Sequence, residues 1–291
     1  MKKSLSLITV LAAFSISTSQ AELLVYEAFQ YKTAGTDRAS SSLFHNQPDG
    51  GDDIDAQGLS GAWQEQDSVS AGSDFFILTN SLSFGDLNTK GNQVRGDSNS
   101  NSDRFARPIS ASLSSGTNLW FSVLANKLQN NFSAAEGGLV IGNQAVNNPR
   151  ILLDTGSTGL DGFGVAPTTS GNNWIAYAWD GAAQYVGSSS YGVATDGSQT
   201  TLLIGHLSFD TGSGGTDEYQ LYRYTLNAGQ IEGGSLVTIG NVIEVDIDQS
   251  ALDTLSLTRQ VNTAYDEIRI GTTLDDVLGM SAPGGLLFSI K

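Results

Sequence analysis

Apolar residues along most of this 291-residue chain alternate with polar ones at a period of two. The run LWFSVLAN, for example, places Leu119, Phe121 and Val123 on one side, and WIAYAW repeats the pattern. Successive side chains of a strand point to opposite faces, so this period predicts β-strands. Clusters of Gly, Ser, Asn and Asp separate the runs and predict turns. The pattern therefore predicts an all-β fold of two antiparallel sheets, a β-sandwich or a jelly roll.

One short helical turn is predicted near the end of the chain, at residues 273–278. Thr273 can cap it, Asp276 is placed three residues on as the capping-box partner, and Gly279 provides a stop. We find no Pro-rich linker and no internal repeat. The simplest partition is a single domain over residues 22–291.

The first 21 residues have the pattern of a secretory signal peptide. Lys2 and Lys3 precede a short apolar run from Leu5 to Ile16, and small residues lead up to Ala21. The run is well short of the roughly 20 apolar residues that span a bilayer. We therefore expect cleavage after Ala21 and export to the extracellular space or periplasm, with no membrane span in the mature chain.

The charge balance excludes one class of partner. Asp and Glu number 30 against 14 Lys and Arg, a net charge of −16 that becomes −18 when the two lysines of the leader are removed. Nucleic-acid binding depends on basic residues that neutralise phosphates, so no nucleic-acid partner is expected. The chain also has no cysteine, which excludes disulfides, thiol catalysis and cysteine-ligated metals.

Four segments resemble a known group of proteins: LLVYEAFQY after the leader, LSGAW (59–63), TTLLIGHLSFD (200–210) and YDEIRIGTT (265–273). They are similar to secreted bacterial proteins with a concanavalin A-like (LamG-like) jelly roll, many of which carry a PEP-CTERM sorting tail. This chain has Leu274 where those proteins typically have Trp, and it ends in GGLLFSIK, so membrane sorting is not expected. The resemblance implies the fold and a carbohydrate-related role, but no agreed catalytic residues.

Two aromatic pairs are candidates for carbohydrate binding. Tyr177 and Trp179 share a face of one predicted strand, and Tyr222 and Tyr224 share a face of another. Such rings can stack on sugars, or they can fill the sandwich core, where large rings usually lie. We predict a non-catalytic protein that binds a polysaccharide or cell-surface glycan, or that serves as an extracellular matrix or surface component.

The alternative is a polysaccharide-degrading enzyme with a carboxylate strand at 244–248. Glu244, Asp246 and Asp248 would share one face of a strand, with Val245 and Ile247 on the other. This resembles the E-x-D-x-E strand of laminarinase-type family 16 glycoside hydrolases. The resemblance implies Glu244 as nucleophile, Asp246 as the residue that tunes it, and Asp248 in the position of the general acid. The competing interpretation is a solvent-exposed strand face.

Clustered aspartates offer oxygen ligands for Ca²⁺ in the segment PDGGDDID: Asp49, Asp52, Asp53 and Asp55. Their spacing matches neither an EF-hand loop nor a nonapeptide repeat, and a solvated acidic loop is the competing interpretation. No other cofactor is expected.

Two Asp-Thr-Gly-Ser sequences, beginning at Asp154 and Asp210, resemble the motif of aspartic proteases. They lie too close in sequence for a pepsin-type lobe between them, and the same residues are common in turns. His45 and His206 are the only histidines, and no transition-metal site is predicted.

Overall fold

The computed structural model describes residues 22–31, 56–65, 75–96, 103–114, 116–127, 138–143, 159–167, 173–188, 200–259 and 263–280. In chain order the strands are β1 (Leu23–Glu27), β2 (Gln64–Glu65), β3 (Phe75–Leu78), β4 (Gln93–Gly96), β5 (Asp103–Pro108), β6 (Asn118–Lys127), β7 (Gly138–Gly142), β8 (Asp161–Pro167), β9 (Trp174–Asp180), β10 (Gln184–Val186), β11 (Thr201–Ser208), β12 (Asp217–Asn227), β13 (Gln230–Val245), β14 (Thr254–Arg259) and β15 (Thr263–Gly271).

These strands form two antiparallel sheets. The larger has the order β13-β12-β11-β6-β15-β4-β3, with β1 also paired to β15, and the smaller has the order β10-β9-β8-β7-β14-β5-β2. The chain crosses between the sheets repeatedly, for instance from β6 to β7 and from β13 through β14 to β15. The predicted all-β jelly-roll sandwich of two antiparallel sheets is confirmed.

The main core lies between the inner faces of the sheets. Leu119, Phe121 and Val123 of β6 contribute to it, as the alternation predicts. Both sheets also carry buried apolar clusters on their outer faces, one around Tyr177 and Trp179 on β9 and one around Leu124 and Tyr224 on the larger sheet. The outer faces are therefore partly covered, which a simple inside–outside alternation does not predict.

The predicted helical turn is present as α1 (Leu274–Leu278). Thr273 Oγ1 accepts a hydrogen bond from the backbone N–H of Asp276, and the Asp276 carboxylate accepts one from the backbone N–H of Thr273, which completes the capping box. Gly279 ends the helix in the left-handed region at φ 69°, which favours glycine. Among the described residues, no helix is long and apolar enough to cross a bilayer.

A buried ion pair connects the two sheets. Arg107 of β5 donates from Nη1 to Glu27 Oε2 of β1 at 2.5 Å, and both side chains are almost fully buried. Trp63, from the LSGAW segment, donates to the same oxygen at 3.2 Å, and the Tyr31 hydroxyl donates to it at 3.1 Å. Several donors thus replace the water that Glu27 loses on folding.

We expect Arg107→Met to destabilise the fold by about 3–5 kcal/mol, because it leaves the Glu27 carboxylate buried without its cation. Half-buried Arg223, on β12, provides the matched control, and Arg223→Met should cost less than about 1 kcal/mol. Chemical denaturation measures both. Equal losses of unfolding free energy in the two variants would contradict a stabilising role for the Arg107–Glu27 ion pair.

Candidate functional site

A large open cavity lies on the outer side of the larger sheet, and we call it the Arg269 cavity. Its volume is about 1060 Å³. It is bounded by the start of β1, the segment before β4, the β12–β13 hairpin and α1 with the residues that follow it. Its lining consists of Glu22, Leu23, Tyr26, Gln57, Asp86, Leu87, Asn88, Lys90, Ile231, Glu232, Arg269, Asp275, Asp276, Leu278, Gly279 and Met280.

The back of the cavity depends on an irregularity in β15. The pairing of β15 with β6 shifts register between Asp266 and Arg269, and Glu267 at this point has a positive φ of 50°. Buried Glu267 accepts hydrogen bonds from the Tyr26 hydroxyl at 2.8 Å, from Arg269 Nη2 at 2.7 Å and from the backbone N–H of Lys90. Burial, reinforced by the Glu267 carboxylate, raises the pKa of Tyr26, which keeps its hydroxyl a donor.

The Arg269 side chain is only 9% exposed, yet it is incompletely paired. Its guanidinium carbon lies 5.3 Å from the centre of the Tyr26 ring, and Nη2 also contacts the Asn88 carbonyl at 3.5 Å. Nη1 has no hydrogen-bond partner among the residues that the structure describes. This nitrogen has almost no accessible surface and packs against Gly279, so it is a costly buried donor that a ligand in the cavity does not reach.

Helix α1 forms one wall and is fixed to β1. The Asp276 carboxylate accepts from the backbone N–H of Glu22 at 3.1 Å in addition to its capping-box bonds. Gly279 packs directly against Arg269 Nη1. A Cβ atom on residue 279 would lie 2.3 Å from this nitrogen, which leaves no room for a side chain. The glycine therefore both ends the helix and makes room for the guanidinium.

The hairpin wall is held by two hydrogen bonds to Ile231. Its N–H donates to Asp86 Oδ1 at 2.7 Å, and its carbonyl accepts from the Tyr224 hydroxyl at 2.7 Å. Asp86 thus joins the hairpin to the segment before β4. The cavity walls are connected by the protein's own hydrogen bonds, so the cavity is already formed without a ligand.

The rim of the cavity is acidic. Exposed carboxylates outnumber the one exposed cation, Lys90, and comprise Glu22, Asp86, Glu232 and Asp275. Deeper in the cavity, Arg269 is balanced by Glu267. Carboxylates and amides next to half-buried Leu87 and exposed Met280 can bind hydroxyl groups and C–H surfaces together. The described lining contains no histidine, serine or threonine that could act as a nucleophile–base pair.

The structure places Tyr177 and Trp179 in the buried cluster on the outer face of the smaller sheet. Their rings stack at 6.0 Å between centroids, and the residues are only 4% and 0% exposed. They do share a face, as predicted, but that face is covered. Burial raises the pKa of Tyr177 to about 12.

Tyr222 and Tyr224 also share a face, on the outer side of the larger sheet. Tyr222 is half-buried, whereas Tyr224 is buried and supports the cavity through Ile231. The structure therefore brings one of the four predicted aromatics into the support of the cavity and none into its lining.

The carboxylate strand is shorter than predicted, because β13 ends at Val245. Glu244, Asp246 and Asp248 are all exposed while Val245 and Ile247 are buried, so the alternation is correct. However, Asp248 has left the strand, and its side chain caps a short 3₁₀ helix by accepting from the Ser250 N–H at 2.9 Å and hydroxyl at 2.6 Å. The prediction that all three carboxylates lie on one strand is wrong.

His206 forms a separate polar cluster on the larger sheet. Its Nε2 lies 3.0 Å from Asn118 Oδ1, which also accepts from the Ser208 hydroxyl at 3.1 Å. Ser208 Oγ also lies 3.2 Å from His206 Nε2, so the imidazole, the hydroxyl and the Asn118 amide oxygen form one small polar cluster. The His206 ring stacks on Trp120 at 3.9 Å between centroids.

The predicted calcium ligands Asp49, Asp52, Asp53 and Asp55 lie outside the described residues, as do Asp154 and His45. Within the described ranges, no three His, Asp or Glu side chains are grouped so as to hold a metal ion. Asp210 lies in the turn after β11 with φ 55°.

No protein-family model matches the sequence, and no curated protein matches it. Among solved structures, the globular domain of T. cruzi calreticulin has a TM-score of 0.49 at 16% identity, covering 75% of this chain and 86% of that one. Domain 4 of the Geobacillus stearothermophilus GH43 arabinanase AbnA, in complex with arabinotriose, has a TM-score of 0.43 at 13% identity, covering 90% and 99%. The Ca²⁺/Man3GlcNAc-bound VIP36 lumenal domain has a TM-score of 0.42 at 9% identity, covering 73% and 84%.

Sequence reasoning missed the Arg269 cavity. Two of its central residues, Tyr26 and Arg269, lie in LLVYEAFQY and YDEIRIGTT. These segments carry the family resemblance, but the sequence analysis predicts no binding role for either residue. The available signal was chemical, because Glu267 and Arg269 are charged residues inside otherwise apolar strand patterns.

Burial lowers the pKa of His206 to about 4, from an ordinary value of 6.5. As the pH falls, the unfolded chain binds a proton at this histidine near pH 6.5, whereas the folded chain binds it only near pH 4. The contribution of His206 to the free energy of unfolding is therefore fully present above pH 6.5 and is lost as the pH falls towards 4. We expect NMR titration of the imidazole to give a midpoint near 4. Between pH 6.5 and pH 4 the native chain should lose only about 1–2 kcal/mol more of its free energy of unfolding than the His206→Gln variant, because the half-buried ring is partly screened by solvent. A midpoint near 6.5 would contradict the assignment.

The catalytic role of Glu244 stays a prediction, and its test is release of reducing sugars from β-glucans and other polysaccharides. From the exposure of the three carboxylates and the use of Asp248 as a cap, we expect no release. Release by the native chain that Glu244→Gln abolishes would establish the enzyme instead.

Proposed function

We propose that this chain is a secreted, non-catalytic jelly-roll protein that binds a glycan in the Arg269 cavity. The observation that carries the proposal is the cavity itself, about 1060 Å³ in volume and lined by both hydrogen-bonding and apolar groups. Ligand pockets commonly measure about 300–1,000 Å³, so there is room for several sugar rings.

The chemistry of the lining supports a saccharide. A sugar presents hydroxyl groups around its edge and C–H groups on its faces. Gln57 and Asn88 supply amides, and the rim carboxylates supply acceptors. Met280, which is 41% exposed, and half-buried Leu87 provide apolar contact surface.

The rigidity of the walls supports binding as well. Hydrogen bonds from Asp86, Asp276 and Glu267 join three separate chain segments around the cavity before any ligand is present. A site formed in advance loses less conformational entropy on binding, which favours affinity.

Export is part of the proposal. The backbone nitrogen of Glu22, the residue after the predicted cleavage position, donates to Asp276 Oδ2 and to Thr272 Oγ1, both at 3.1 Å. Cleavage after Ala21 would convert this N–H to an ammonium with a carboxylate already beside it. The mass of the exported protein should therefore correspond to a chain that begins at Glu22, and an intact leader on the exported protein would contradict this.

The binding proposal is tested with Asn88→Trp, which places a large ring at an exposed position of the lining while leaving the Asn88 carbonyl in place. We expect the native chain to bind one or more saccharides on a broad glycan array, screened with Ca²⁺ and with EDTA. Calorimetry on the best of these should then show at least about tenfold weaker binding for Asn88→Trp.

Thr238→Trp is the matched control, because Thr238 is exposed on β13 of the same sheet and lies outside the lining. It should bind like the native chain. An array without any ligand at high protein concentration, or binding that Asn88→Trp leaves unchanged, would overturn the proposal.

A further inference from the structure

The residue that follows the predicted cleavage position has a structural role of its own, and this inference rests on the export part of the proposed function. We infer that the α-ammonium of Glu22, created by cleavage after Ala21, is a structural cation that holds α1 against β1. Removal of the leader then completes one wall of the Arg269 cavity and stabilises the fold.

The first observation is the number of acceptors around the Glu22 backbone nitrogen. Asp276 Oδ2 and Thr272 Oγ1 both lie 3.1 Å from it. A peptide nitrogen has a single hydrogen, which it can only share between two acceptors, whereas an ammonium has three. A free amine at this residue therefore satisfies both oxygens and keeps a third hydrogen for water. The geometry suits an N-terminal residue better than an internal one.

The second observation is the charge of the partner. Asp276 is only 2% exposed, and its Oδ2 already accepts from the Thr273 N–H at 2.9 Å and from the Thr273 hydroxyl at 2.7 Å. These donors are neutral, so the ammonium adds a full positive charge beside a carboxylate that has lost most of its water. Hydrogen bonds between charged groups are about twice as strong as those between neutral groups.

The nitrogen is held in this position by the backbone around it. The Glu22 carbonyl accepts from the Thr272 N–H at 3.1 Å. This contact extends the pairing of Leu23 with Gly271. A Cβ atom on Gly271 would lie 2.6 Å from Asp276 Cβ and 3.1 Å from the Glu22 carbonyl oxygen, so glycine is what allows α1 and β1 to approach each other here. The amine therefore does not have to move to reach the carboxylate.

This contact links removal of the leader to stability. While the leader is attached, the Glu22 nitrogen is a neutral amide with one hydrogen. After cleavage it carries a charge and two more hydrogens at the same place. The unfavourable effect of a cation near the start of α1 is small, because that helix has only five residues, whereas the carboxylate is in direct contact. The precursor should therefore unfold more readily than the mature chain.

The test compares three forms of the chain by chemical denaturation at neutral pH, after mass spectrometry has confirmed the N-terminus of each. One begins at Glu22 with a free amine, one begins at Ala21, and one begins at Glu22 with an acetylated amine. Acetylation removes the charge and two hydrogens without adding a residue. We expect the unfolding equilibrium constant of the free-amine form to be about three- to tenfold smaller than those of the other two.

Asp276→Asn removes the charge of the partner, and Asp275→Asn is the matched control. Asp275 lies on the same turn, is exposed and is not one of the two acceptors at the Glu22 nitrogen. Each variant is made in the free-amine and acetylated forms. The difference between the two forms should fall below about 1.5-fold in Asp276→Asn and should persist in Asp275→Asn.

NMR titration of the amine in the native chain needs no substitution, so it gives a result even if Asp276→Asn does not fold. Pairing with the Asp276 carboxylate should raise the pKa of the α-amine above that in a peptide of residues 22–26, which carries the same Glu22 side chain. Asp275 also favours the charged amine, and its contribution is measured in the Asp275→Asn variant. Arg269 and Lys90, which line the same cavity, act in the opposite direction.

Equal stability of the free-amine and acetylated forms, or an α-amine with the pKa of the peptide, would overturn this inference. A difference that Asp275→Asn removes as fully as Asp276→Asn would also overturn it, because the overall charge would then be the cause. These outcomes leave the proposed function intact, since the mass of the exported protein tests cleavage and the glycan array tests binding. An exported protein that begins at another residue would overturn both this inference and the proposed cleavage.

Discussion

The burial of three charged side chains on one strand constrains this structure most strongly. Every residue of β15, from Thr263 to Gly271, is buried, yet the strand carries Asp266, Glu267 and Arg269. Charges that lose their water must be paired or hydrogen-bonded within the protein. The segments that surround the larger sheet on this side are arranged to supply those partners, and the Arg269 cavity lies between them.

Asp266 and its neighbours illustrate how this works. Asp266 accepts from the Ser81 hydroxyl at 2.5 Å and from the Leu82 N–H at 2.7 Å, which fixes the start of the segment before β4. Glu267 binds the N–H of Lys90 near the end of the same segment. Burial with the Glu267 carboxylate nearby raises the pKa of Asp266 well above its ordinary value, so this position is costly to keep charged. The hydrogen bonds that compensate for the buried carboxylates of β15 therefore also hold the wall of the cavity in place.

Much of the architecture could be predicted from local sequence, because period-two alternation and capping are local effects. The helix at Thr273 and its stop at Gly279 follow from side chains within one turn. The locations of Tyr177 and Trp179 are harder to predict, since both faces of β9 are buried and alternation alone does not say which buried cluster a ring joins. The strand β13 ends before Asp248 because this side chain caps a 3₁₀ helix. Such competition between a cap and a strand cannot be recognised from alternating residues alone. The cavity depends on the bulge at Glu267 and on partners 177 and 241 positions distant in sequence, so no local pattern could reveal it.

Occupation of the Arg269 cavity by a ligand can be tested directly. Backbone NMR of the isotope-labelled chain, titrated with the saccharide that binds best on the array, provides that test. A ligand in the cavity should shift the amide signals of 87–90, 231–232 and 275–280 and should slow or shift the Arg269 guanidinium signal. Changes confined to β9 and β10, or to the exposed carboxylates at 244–248, would contradict it.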